Sequence, residues 1–78
     1  MYSVILENDY VPTLSRLKEN CQLKSGRIFT TNHTSGILFE SLTRKDAEML
    51  KSLLLSITAI FNIPVNVFIE LEIPEELL

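Results

Sequence analysis

Cysteine, histidine and glycine are too scarce in this chain to build the commoner catalytic and metal-binding sites. One His and one Cys fall short of the several ligands that a metal site needs, and no cofactor is expected. The lone Cys21 excludes an internal disulfide and suits a reducing compartment, so a cytoplasmic location is expected. Two glycines cannot form a Gly-rich phosphate cradle. Basic charge is thin as well: seven Lys and Arg against ten Asp and Glu give a net charge of −3. No basic run is longer than Arg44-Lys45, and none follows Lys51. A general attraction to nucleic acid is therefore not expected. The opening MYSVILEND has no basic stretch and no cleavage pattern, so no secretory leader is expected.

Residues 52–69, SLLLSITAIFNIPVNVFI, carry no charge, and the run is as long as the shortest membrane-spanning helices. Asn62, Pro64 and Asn66 interrupt it, and the periodicity changes there from helical to alternating. The run reads as a buried helix, a stop and a strand, and no membrane partner is expected.

What is present is regular pattern. Apolar residues make up 46% of the chain, an ordinary share for a globular protein. The 78 residues suffice for one small domain, residues 1–73, with 74–78 as a tail. A core of this size tends to leave apolar surface that a partner or a second copy covers.

The first strand runs from Tyr2 to Glu7, with Tyr2, Val4 and Leu6 on one face and Ser3, Ile5 and Glu7 on the other. Asn8 or Asp9 is placed to cap the helix that follows, and Pro12 is tolerated only in its first turn. Val11, Leu14, Leu17 and Cys21 recur at helical spacing, and Gly26 ends the segment as a left-handed or flexible position. Arg27 to Thr31 and Ile37 to Leu42 form an antiparallel hairpin about the turn NHTSG. Thr43 and Asp46 read as a capping box. They open a second helix from Arg44 to Phe61, whose stripe is Ala47, Leu50, Leu53, Leu54, Ile57, Ile60 and Phe61. Asn62 suits its C-terminal cap. Val65, Val67, Ile69, Leu71 and Ile73 alternate with more polar neighbours as the last strand.

The order βαββαβ predicts an α+β ferredoxin-like sandwich, a four-stranded antiparallel sheet with both helices on one face. If Val4, Leu6 and the odd-numbered set of the last strand face the helices, the opposite face carries Ile5, Phe68 and Leu38. Glu7, Glu40, Glu70 and Glu72 ring them. An open sheet face with an apolar centre and an acidic rim has the make-up of an interaction surface.

Catalytic readings fare worse. Glu70 and Glu72 share a strand face but no cleft that would push their pKa values apart. His33 falls in the hairpin turn and Cys21 on the apolar stripe, and nothing in the pattern brings them together. No enzyme activity is expected. The RNA-recognition motif shares this element order, but it presents aromatics from its first and third strands beside basic residues. Here those strands offer Ile5, Glu7, one aromatic and Glu40, and carboxylates repel phosphate.

The stretch VILENDYVPTLSRL, residues 4–17, resembles the start of ACT-type regulatory domains, especially the small regulatory subunit of acetolactate synthase. Leu6, Glu7 and Asn8 match the Leu-Glu-Asn that ends that family's first strand, and Leu14, Ser15 and Arg16 match the Leu-Ser-Arg of its first helix. The resemblance implies the same βαββαβ fold and an amino-acid effector held at the first strand-to-helix turn, with Asn8 as the contact carried over. The family's glycine in this turn is missing; Tyr10-Val11-Pro12 stand there, with one residue more between Asn8 and Leu14. Two functions are thus expected in competition. One is a non-enzymatic interaction module, an adaptor, regulator or inhibitor that binds a protein partner or its own copy through the sheet face or edge. The other is an ACT-like small-molecule sensor.

Overall fold

A computed structural model describes residues 1–72; the expected strand residue Ile73 and the tail 74–78 lie outside the described residues. The elements are β1 (Tyr2–Glu7), α1 (Val11–Asn20), β2 (Arg27–Thr30), β3 (Ser35–Leu42), α2 (Arg44–Ile60) and β4 (Asn66–Leu71). The strands form one antiparallel sheet in the order β2-β3-β1-β4, which is the ferredoxin-like topology expected. No helix of the described residues is long and apolar enough to cross a membrane.

One face of the sheet holds the core. Val4, Leu6, Ile37, Phe39 and Val67 point from the strands toward Leu14 and Leu17 of α1 and Ala47 and Leu54 of α2. Burying a side chain such as Leu6 or Leu54 in full is worth about 1.5–3 kcal/mol each. Helix α1 lies over β2 and β3, and α2 mainly over β1 and β4. No Cα of α1 comes within 8 Å of one in α2, and an open cavity of about 280 Å³ between α1 and the segment that follows α2 is lined by Arg16, Asn20, Cys21, Phe61 and Ile63 among others.

That gap narrows the apolar stripe of α2. Ala47 and Leu54 are buried and Leu50 and Ile57 half-buried, but Leu53, Ile60 and Phe61 stand more than half exposed. Thr58 takes a core place instead, its hydroxyl donating to the Leu54 carbonyl at 2.8 Å. The helix ends follow local chemistry. The Thr43 hydroxyl accepts the Asp46 N–H at 3.1 Å, and Asn62 after α2 is left-handed at φ 54°. At α1 the expectations move. Tyr10 is the N-cap and offers no side-chain bond, while the Asn8 side chain accepts the Tyr10 N–H from two residues before it.

The left-handed position after α1 is Gln22, at φ 55°, not Gly26. Gly26 is required for space: a Cβ there would come within 2.5 Å of Ile37 and 2.7 Å of Phe39. Strand β3 also begins earlier than expected, at Ser35, because Ser35 and Gly36 pair with Thr30 and Phe29.

Candidate functional site

Cross-strand register builds the open face. Phe68 lies opposite Ile5, Ile5 opposite Leu38, and Leu38 opposite Arg27, so the three expected apolar residues form one row across β4, β1 and β3, which Arg27 ends on β2. Ile5 and Leu38 are half-buried by their neighbours, while Phe68, at the end of the row on an edge strand, is 44% exposed. A parallel row runs Asn66, Glu7, Gly36, Phe29. Phe29 adds a fourth large apolar residue that the sequence reading passed over. Its ring covers Gly36, where a Cβ would stand 2.9 Å from two ring carbons. The signal was available: a glycine inside a strand often marks the place where a neighbouring aromatic lies down.

Phe39, the one aromatic of β3, points into the core at 2% exposure. The aromatics of the open face, Phe29 and Phe68, come instead from the two outer strands.

The acidic rim splits into two kinds of carboxylate. Glu40 is ion-paired with Arg27 across the β2–β3 ladder, and both stand largely in water. Glu72 is half-buried and accepts from the Ser3 hydroxyl at 3.0 Å and the Ser41 N–H at 2.6 Å. It thereby closes the irregularity where β1 and β3 slip register between Tyr2 and Val4 and Ser41 turns left-handed at φ 61°. The apolar spacing of β3 hints at this extra residue, since Ile37 and Phe39 are two apart but Phe39 and Leu42 three. Among the described residues, no ion pair or side-chain hydrogen bond involves Glu7 or Glu70; with Glu72, whose charge its neutral hydrogen-bond donors do not cancel, they carry the negative charge of the face.

The strand-to-helix turn is stitched shut. The Asn8 amide donates to the Pro64 carbonyl at 2.9 Å and accepts the Tyr10 N–H at 2.9 Å. It ties β1 to the loop before β4 while shaping its own turn. Thr31 organises the hairpin tip by accepting the N–H groups of His33 and Thr34, and Thr34 reaches the Asp9 carboxylate at 3.4 Å. Between these loops lies an open, mainly polar depression of about 450 Å³, bounded by Asn8, Asp9, His33, Thr34 and Asn66 among others. His33 stands exposed beside it, and Cys21 is half-buried at the C-terminal end of α1, so the two do not meet. Among the described residues no group of His, Cys, Asp and Glu is arranged to hold a metal ion.

No protein-family model, curated protein or solved structure matches this chain.

Proposed function

We propose that this chain is a non-enzymatic protein-interaction module that regulates, adapts or inhibits a partner protein through the open face of its sheet. The observation that carries this reading is the row Phe68–Ile5–Leu38, apolar side chains aligned on a face that no described helix covers. Apolar residues in register form a continuous strip, and a strip with charge only at its margin matches the anatomy of a binding surface. Glu7 and Glu70 at that margin favour a partner with basic residues around an apolar centre and disfavour a polyphosphate.

Leu38 stands in the row on the inner strand β3, between Ile5 and Arg27, and outside the core cluster, so Leu38→Lys changes the surface without emptying the interior. The test is a nuclease-treated pull-down with the wild type and Leu38→Lys as parallel baits, both checked for folding by circular dichroism. At least one near-stoichiometric protein should be held by the wild type and lost by about tenfold or more with the variant, the scale of a disrupted central contact. Identical captured proteins in identical amounts would overturn the reading.

The ACT-like sensor is the second reading, and the depression beside the β1–α1 turn is the observation in its favour. Both ends of the Asn8 amide are engaged within the chain, so an amino-acid effector would have to displace one of these bonds. Thermal unfolding in the presence of each of the common amino acids separates the readings. A rise in Tm that disappears in Asn8→Ala would favour the sensor, and no rise with any amino acid favours the interaction module.

A further inference from the structure

Strand β4 is an outer strand of the sheet, and the direction of its backbone groups can be read residue by residue. The phase of its hydrogen bonds follows from one contact: the Glu72 N–H donates to the Met1 carbonyl at 2.9 Å. Directly opposite residues exchange bonds at every second position of an antiparallel ladder. Asn66, Phe68 and Glu70 therefore spend their backbone groups on β1. Val67, Ile69 and Leu71 direct theirs outward, where no described strand meets them. A row of outward N–H and C=O groups on a strand with no Lys and no Pro is a template for strand addition.

We infer that two copies join edge to edge through antiparallel β4 strands about a two-fold axis at Phe68, making one continuous eight-stranded sheet. This deepens the interaction reading by naming one partner of the open face's edge. The parity of the bonds requires Val67, Ile69 and Leu71 to meet odd-numbered residues of the copy. An axis at Glu70 would set two carboxylates opposite each other. An axis at Ile69 would put each Glu70 opposite the copy's Phe68. With the axis at Phe68, the two Phe68 rings meet at the centre and Glu70 faces the copy's Asn66, a neutral amide.

On the helix side, Ile69 then meets the copy's Val67, and Leu71, 61% exposed in the single chain, meets the copy's Val65. The apolar row of the open face becomes continuous from one Leu38 to the other. The layer above also fits. Helix α2 lies over β1 and β4, so with strands about 4.8 Å apart the two α2 axes stand roughly 10 Å apart, near the usual packing distance.

The purified full chain tests this by sedimentation equilibrium up to about 0.5 mM, since association follows mass action. A species of twice 8.9 kDa is expected. Phe68→Lys and Phe68→Glu alone should each raise the dissociation constant by about tenfold or more, and their equimolar mixture should associate again, because only an axis at Phe68 sets Lys against Glu. In a Cys21→Ser background, Phe68→Cys treated with a two-electron thiol oxidant such as diamide should form a disulfide-linked dimer, since a non-hydrogen-bonded pair brings the two Cα atoms to about 4.5 Å. Leu38→Cys, on the same face but two strands inward, should form no covalent dimer.

A single-chain mass at the highest concentration, or a dimer whose charge variants and Phe68→Cys behave like the wild type, would overturn the inference. Neither result touches the Leu38→Lys pull-down, so the edge can fail while the open face stands.

Discussion

Strand β2 offers four residues at one edge of the sheet, and β4 offers six at the other. At β2 the ladder to β3 uses the backbone of Arg27 and Phe29, as the Thr31 N–H to Thr34 carbonyl bond shows, which leaves Ile28 and Thr30 facing outward. Charge crowds that edge. Arg27 stands on it in an ion pair with Glu40, and Lys18 and Lys24 line the groove beside Ile28. Short length and nearby cations are how natural sheets stop strands from adding at an edge. At β4 the strand is longer, apolar residues occur on both faces, and its one charge, Glu70, sits off the row of Phe68. One edge is closed by its side chains and the other meets no described strand, so association is expected to be directional, through β4 alone.

The largest effect that would disturb this comparison comes from Gly36. A Cβ there would lie 2.4 Å from the Leu6 carbonyl oxygen and 2.9 Å from the Phe29 ring, and the backbone oxygen sits in a central strand. Gly36→Ala is expected to cost about 2–3 kcal/mol in urea unfolding. The amides of β2 should lose hydrogen-exchange protection before those of β4, because Phe29 can no longer lie flat.

Glu72→Ala comes next. It removes a carboxylate that accepts a hydroxyl and a backbone N–H, and it should cost about 1.5–3 kcal/mol in the same measurement. The loss should centre on the irregular β1–β3 junction, visible as amide shifts at Ser3 and Ser41.

A proline at each edge separates the two directly. Leu71→Pro and Thr30→Pro both remove an outward N–H at an exposed residue, which an edge strand tolerates. Leu71→Pro should weaken self-association by about tenfold or more, and Thr30→Pro should leave it unchanged. Equal effects at both edges would erase the distinction. Arg27→Ala has the smallest expected consequence, below about 1 kcal/mol, since its ion pair stands largely in water. Chemical denaturation at low and high salt would show whether even that much is present.

Much of this architecture could be read from residues along the chain. Period-two alternation in Tyr2–Glu7 and period 3.6 in α2 report local geometry, and the Thr43 and Asn62 ends of α2 depend only on side chains within a few residues. Ile5, Leu38 and Phe68 could be assigned to one face because the sign of each alternation follows from which residues are core. Their alignment into a single row could not, because it depends on three registers set by the whole sheet. Gly26 was misread for a similar reason. A glycine near a helix end has a local explanation in its freedom at positive φ, but its actual cause is the approach of Ile37 and Phe39 from β3.

The sequence by itself determined the element order and the ends of α2, because propensity and capping act over short stretches. Only the tertiary structure decided that Glu72 serves the β1–β3 irregularity, that Asn8 ties two loops together, that Phe29 belongs to the open face, and that no described strand pairs with the outer edge of β4. Each of these depends on which groups, distant in the chain, come within bonding reach once the sheet has closed.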